Sequence, residues 1–150
     1  TPCAAVQQLC RAAGYPRRVL LFPIRPPGET DEIGAYASGR RRPLPHAYDL
    51  IILDPPAFAK RRDDLESAKR TYRDLNRLAM ESLASEGLLL TCSCSYQMDE
   101  ETFRSVVFHA AREAKRTVRI LARHRHALDH PVSLFHPEGE YLKSLLLHVA

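Results

Sequence analysis

No run of apolar residues in the sequence approaches the length of a membrane span, and the N-terminal residues lack the charged-then-apolar pattern of a secretory leader. A cytoplasmic protein with no membrane partner is the expectation. Cysteine is scarce: Cys3, Cys10, Cys92 and Cys94 lack the density of a disulfide scaffold, and none forms paired C-x-x-C zinc spacing. Reduced thiols follow. Glycine is scarce too, and Gly14, Gly28, Gly34 and Gly39, the four before Tyr48, form no G-x-G-x-x-G turn. Residues 1–47 therefore show no glycine-rich strand turn of the kind that cradles a nucleotide. Internal repeats and low-complexity tracts are also absent.

What is there suits one core. The chain has 150 residues, 45% of them hydrophobic, and a net charge of +4 that makes a polyanionic partner such as RNA plausible. Residues 1–47 differ in texture from the rest. They open as a short amphipathic helix, with Val6, Leu9, Cys10 and Ala13 on one face and Gly14 at its stop, followed by a strand over 18–22. Pro23, Pro26, Pro27, Pro43 and Pro45, with the run Arg40, Arg41 and Arg42, then read as loop.

From Tyr48 onward, strand and helix alternate. Residues 50–53 are a continuous apolar run, as in a parallel strand covered on both faces. Leu65, Ala68, Tyr72, Leu75, Ala79 and Leu83 at three- and four-residue spacing predict a helix over about 63–85, and Gly87 leads into a strand over 88–91. Asp99 reads as the N-cap of a second helix whose buried stripe is Phe103, Val106, Val107, Ala110 and Ala114. Strands over 117–122 and 141–149 finish the chain with no helix between them. The order predicts an α/β fold with a parallel sheet and an antiparallel last strand.

Two stretches carry chemistry. In "YDLIILDPPAFAK" the apolar strand ends in Asp54, and Pro55 and Pro56 fix two φ angles and remove two backbone donors directly after the carboxylate. Such an acid is presented rigidly, suited to the polar edge of a planar substrate, with Phe58 and Tyr96 as candidate stacking surfaces. In "TCSCS", Cys92 and Cys94 alternate with serines at the end of the next strand, and either is a candidate nucleophile on spacing alone. Ligands of open α/β sheets bind beyond the carboxyl ends of strands, where both stretches fall. Arg61, Arg62, Lys69, Arg70 and Arg73 add a basic stretch suited to phosphates or to solvent. His124, His126, His130 and His136 have no regular ligand spacing, and no metal is expected.

Together, "YDLIILDPPAFAK", "TYRDLNRLAMESLASEGLLLTCSCS", "ALDHPV" and "PEGEYLKSLLLHV" resemble the C-terminal two thirds of the RlmI-like bacterial 23S ribosomal RNA cytosine-5 methyltransferases, over about residues 48–150. The resemblance implies a Rossmann-like class I methyltransferase sheet, S-adenosylmethionine as cofactor and ribosomal RNA as partner. Carried over by residue, the catalytic cysteine falls on Cys94 between Ser93 and Ser95, Asp54 takes the acid position, and Pro55 lies beside the target base. Cys92 sits where the pattern demands no thiol. Pro56, Phe58, Lys60, Ser93, Ser95 and Tyr96 complete the expected cofactor- and substrate-binding set. The family's lysine after the two prolines is Ala57 here, and Lys60 is the nearest substitute.

The missing glycine-rich turn leads to a further expectation: residues 1–47 are an atypical helix, turn, strand and loop, and the sheet's first strands lie upstream of Thr1. Such a sheet exposes an apolar edge, open to self-association or to the missing N-terminal part. Two alternatives accompany the cytosine-5 enzyme: a non-catalytic, RNA-binding remnant of the fold, and an amino-methyltransferase that uses Asp-Pro-Pro without a thiol.

Overall fold

A computed structural model describes residues 19–23, 48–126 and 130–150, with the first of these segments described by its backbone. The expected N-terminal helix and the proline- and arginine-rich loop lie outside the described residues. Five strands form one sheet: β1 (Val19–Pro23), β2 (Tyr48–Asp54), β3 (Leu83–Ser93), β4 (Val118–His124) and β5 (Lys143–Val149). Helix α1 (Leu65–Ser82) joins β2 to β3, and α2 (Glu100–Glu113) joins β3 to β4. The sheet order is β1-β2-β3-β5-β4. β1, β2 and β3 run parallel, and the last strand inserts antiparallel between β3 and β4.

The apolar periodicities explain the layering. Ile51, Leu53, Leu89, Leu145 and Leu147 alternate onto one sheet face and are buried in one cluster with Tyr72, Leu75 and Ala79 of α1 and Phe103, Val106 and Val107 of α2. Each large side chain fully removed from water there contributes about 1.5–3 kcal/mol. Tyr72 sits at the centre, edge-on to Phe58 at 5.0 Å and to Phe103 at 5.9 Å between ring centroids.

Two junctions differ from expectation. α1 ends at Ser82 and the chain turns extended at Leu83 without a glycine stop, so β3 begins five residues earlier than the apolar run suggests. Pairing with β2 then jumps from Tyr48↔Leu83 to Leu50↔Leu88, a bulge that places Glu86 at φ 61°. Gly87 is required at its end, because a Cβ there would lie 3.0 Å from both the Ala84 carbonyl oxygen and Leu83 Cδ2. α2 ends in a Schellman turn, with Arg116 N–H donating to the Ala111 carbonyl and Lys115 N–H to that of Arg112. Lys115 takes the left-handed position at φ 54°, where glycine is usual, so the sequence carries no visible stop.

That turn throws Arg116 back across the end of the sheet. Its Nε donates to Ala150 O at 3.0 Å, Nη1 to Met80 O and Leu83 O at 3.0 Å each, and Nη2 to Ala84 O at 2.9 Å and Val149 O at 3.2 Å. All five guanidinium donors are thereby used on the end of α1, the bulge and the end of β5. This knot lies at the opposite end of the sheet from the chemistry-bearing loops.

Candidate active site

Parallel pairing in register brings the carboxyl ends of the strands to one edge, with Pro23 beside Asp54 and Leu53 beside Thr91. β4, antiparallel to β5, ends at the same edge in His124, and β5 begins there at Lys143. The Asp-Pro-Pro and Cys-Ser-Cys-Ser stretches therefore leave adjacent strands side by side.

Asp54 is exposed at the tip of β2, Pro55 is buried behind it and Pro56 is exposed. With no N–H on either proline, neither residue can extend the ladder, and the chain leaves the sheet directly after the carboxylate. The second loop leaves β3 at Cys94, turns over Ser95 to Met98, with Met98 N–H donating to Ser95 O at 3.2 Å, and enters α2 at Asp99. Asp99 Oδ1 accepts from Thr102 N–H at 2.7 Å, an N-cap that fixes where the loop ends.

A small buried network stitches the loops together. Ser95 Oγ accepts from Ala59 N–H at 3.2 Å and lies 3.1 Å from the Tyr72 hydroxyl, which itself donates to Pro56 O at 3.4 Å. Tyr72 has one proton and gives it to Pro56, so Ser95 donates to Tyr72. Cys94 Sγ donates to Pro55 O at 3.7 Å, and Lys143 Nζ donates to Ser95 O at 2.7 Å. The thiol loop is thus held to the Asp-Pro-Pro loop from one side and to β5 from the other.

The two cysteines occupy different environments. Cys92 is buried, and burial, with the Asp54 and Cys94 charges adding to it, pushes its thiol up to about 12. Cys94 is half-buried; burial raises its thiol and Asp54 adds to the rise, while a hydrogen bond from its own backbone N–H and, to a smaller degree, the Lys143 ammonium oppose it. Burial lowers Lys143 from its ordinary value, while Cys94 and Asp99 act to raise it. Burial also raises Tyr72, consistent with a neutral hydroxyl in the network.

The structure brings Asp54, Pro55 and Cys94 together at one edge. Ser93 and Ser95 are fully buried, and their hydroxyls serve the loops themselves, Ser93 Oγ accepting from Ser95 N–H at 3.3 Å. Phe58 is half-buried and packs edge-on against Tyr72. Pro56, Lys60 and Tyr96 remain exposed at this edge. In the basic stretch, Lys69 pairs with Glu66 and Arg73 with Glu113, while Arg61, Arg62 and Arg70 are exposed. Among the histidines, His126 stacks edge-on with Tyr141 at 4.8 Å and His136 faces Glu138 at 3.4 Å.

Tyr72 and Lys143 are the site residues that sequence reasoning overlooked. Tyr72 reads as one member of a helical apolar stripe, yet its hydroxyl reaches both loops. The signal for Lys143 is a single lysine opening an otherwise apolar strand, in "LKSLLLHV".

No family model matches the chain. It is 47% identical over 102 residues to the ribosomal RNA large subunit methyltransferase I of Shewanella frigidimarina, and 46% identical over 102 residues to that of Vibrio vulnificus. Each match takes in 68% of this chain and 26% of the relative. The chain resembles these methyltransferases across its C-terminal part. It spans about a quarter of the length of the curated relatives it matches. Among solved structures, a protein described as a methyltransferase complexed with SAH superposes with a TM-score of 0.60 at 24% identity, covering 80% of this chain and 30% of that one. One from Streptococcus mutans, described as a SAM-dependent methyltransferase, gives 0.58 at 24% identity over the same shares. The five strands thus share the Rossmann-like α/β fold of part of these solved structures, with the last strand antiparallel.

Proposed function

We propose that residues 48–150 are the C-terminal part of an S-adenosylmethionine-dependent methyltransferase that acts on C5 of a cytosine in 23S ribosomal RNA. Residues 1–47 are then an atypical N-terminal segment whose strand β1 joins the same sheet beside β2, and the protein works in the cytoplasm. The observation that carries this reading is the contact between Cys94 Sγ and Pro55 O at 3.7 Å, which sets a half-buried thiol beside an exposed, rigidly presented carboxylate. The similarity to ribosomal RNA methyltransferases supports the substrate class.

The chemistry follows from cytosine. Its C5 is too weak a nucleophile to take a methyl group unaided, so the Cys94 thiolate adds to C6 and the C5–C6 π electrons move toward C4 and N3. Asp54, sharing a proton with ring N3, stabilises the charge that arrives there. C5 is then nucleophilic. Once C5 carries the methyl group, loss of its proton and departure of the thiolate from C6 restore the C5–C6 double bond. Cys92 suits the attack poorly, since a thiol pushed up to about 12 is almost wholly protonated near neutrality.

S-adenosylmethionine is the donor this reading requires. The described residues do not build its cradle: Gly87 closes the bulge at the far end of the sheet and Gly139 sits in a short 3-10 turn, Pro137–Gly139. The steps derived above are therefore those of the thiol and the carboxylate. A target inside a stacked helix is beyond the reach of this thiol, so the cytosine is unpaired or flipped when it reacts.

Incubation with S-adenosylmethionine and an RNA carrying 5-fluorocytosine is the direct test, because fluorine at C5 blocks the final elimination and leaves the protein covalently attached. An adduct that maps to Cys94 is expected, with none in Cys94→Ser. Methyl transfer that survives Cys94→Ser would overturn the cysteine mechanism in favour of amino-methylation. Failure of the intact protein to bind S-adenosylmethionine would instead favour a non-catalytic remnant.

A further inference from the structure

We propose that Lys143 is a positioning residue for the Cys94 loop, its ammonium holding the Ser95 carbonyl and presenting a positive charge to the thiol. This deepens the cysteine reading and rests on it.

The geometry starts with register. Ser93, the last residue of β3, pairs with Lys143, the first of β5, so the lysine stem begins directly alongside the point where the thiol loop leaves the sheet. From there Nζ reaches Ser95 O at 2.7 Å, the shortest hydrogen bond tying the loop to another element, and a charge-assisted one. Ser95 O also accepts from Met98 N–H at 3.2 Å, so the ammonium clamps the turn that carries the loop into α2. On the other side of the thiol, Cys94 S–H donates to Pro55 O at 3.7 Å. A carbonyl oxygen holds a thiol but repels a thiolate. When Cys94 loses its proton, the Pro55 contact stops being favourable, and Lys143 becomes the anchor that keeps the sulfur in place.

The charges around the pair are known. Asp54 from the end of β2, Cys92 from β3 and Tyr72 from α1 all interact with Cys94, and each either disfavours the thiolate or is neutral. The backbone N–H of Cys94 and the Lys143 ammonium oppose them, favouring the thiolate, and among the described residues Lys143 is the one side chain that does so. Asp99 at the N-cap of α2 faces Lys143 and supports its charge. Glu100, Arg123, His124 and Arg125 line the same hollow of about 270 Å³ as Lys143; Glu100 lies 3.2 Å from Arg125 and 3.7 Å from Arg123, which leaves it partnered without the lysine.

The test is alkylation of Cys94 by iodoacetamide as a function of pH, read by mass spectrometry at the peptide level on the intact protein. Lys143→Met keeps the aliphatic stem and removes donor and charge; Lys143→Arg keeps the charge. In Lys143→Met the rise of alkylation rate should move to higher pH, and in Lys143→Arg it should stay near wild type. In the methyl-transfer reaction, kcat should fall about 10- to 100-fold in Lys143→Met with KM for RNA little changed, the signature of a misplaced reacting group. Should Lys143→Met not fold, Lys143→Gln carries the same comparison. An alkylation profile that overlays wild type, or one that moves equally in the arginine and methionine variants, overturns the proposal. Alkylation needs neither methyl donor nor RNA, so it decides the role of Lys143 separately from the 5-fluorocytosine trap, which decides the cysteine reading.

Discussion

Replacing Arg116 by methionine, which keeps most of the stem and loses every donor, probes the knot that closes the sheet away from the active edge. Five carbonyls, on Met80, Leu83, Ala84, Val149 and Ala150, accept from one guanidinium at 2.9–3.2 Å. A hydrogen bond to a charged group is worth about 1.5–3 kcal/mol when fully made and desolvated. Most of these carbonyls are only part-buried and would recover water, so the five do not sum. We expect a loss of about 2–4 kcal/mol. For a chain of this size that is a fall in Tm of roughly 5–15 °C by circular dichroism or calorimetry. Lys143 and the thiol loop lie at the far edge, so the Cys94 alkylation profile should not move. A lysine ammonium offers three donors and no planar fork, so Arg116→Lys should recover less than half of the loss. A Tm within about 2 °C of wild type for Arg116→Met would refute the reasoning and mean that the knot decorates ends already held by packing.

Other outcomes follow from particular contacts. Lys115→Gly should stabilise the protein by about 1 kcal/mol, measured by urea unfolding, because it relieves a left-handed lysine at φ 54° in the turn after α2. Gly87→Ala should destabilise by about 1–3 kcal/mol in the same assay, since its Cβ would meet backbone oxygen at 3.0 Å. Asp99→Ala should cost about 1 kcal/mol near neutral pH. The Thr102 N–H bond lowers the Asp99 pKa below its ordinary value, so the cap's contribution is present above the unfolded value and disappears as pH falls through the lower folded one; a wild-type and variant difference that persists in strong acid would contradict this. At pH 8, with its thiol pushed up to about 12, Cys92 is thiolate in roughly one molecule in ten thousand, so Cys94 should alkylate in the folded protein while Cys92 does not; prior labelling of Cys92 would undo that assignment.

Much of the fold was legible because its elements carry strong periods. The stripe from Leu65 to Ala79 and the stripe from Phe103 to Ala110 are the buried faces of α1 and α2, and the apolar runs around Ile51 and Leu89 are adjacent parallel strands. The antiparallel last strand followed from two strands with no helix between them. The junctions were illegible for a physical reason: both depend on tertiary partners that have no local signature. Leu83 ends a helix without glycine because the chain is captured at once by pairing with Tyr48, and Lys115 adopts a glycine's conformation because Arg116 beyond it is tied to five carbonyls.

The same distinction divides the site. Asp54 stood out as an acid followed by two prolines, and Cys92 and Cys94 as thiols alternating with serines at a strand end; only the resemblance to the RlmI-like family singled out Cys94 between them. The serines beside the thiol stood out equally and mean something else: Ser95 is wholly buried, accepting from Ala59 N–H and donating to Tyr72, which closes on Pro56. Its task is to hold one loop against the other, and that task is invisible until Tyr72, 23 residues away, is seen to reach it. Ser95→Ala therefore separates holding from binding. It would leave the buried Ala59 N–H without its partner, for a loss of about 1–3 kcal/mol, and Tyr72→Phe would cost about 1 kcal/mol by removing the Pro56 bond and the bond it shares with Ser95. Because the two changes dismantle one network, the double variant should lose less than the sum. Strict additivity in urea unfolding would mean that Ser95 and Tyr72 act independently and that the loops are joined by something other than this bridge.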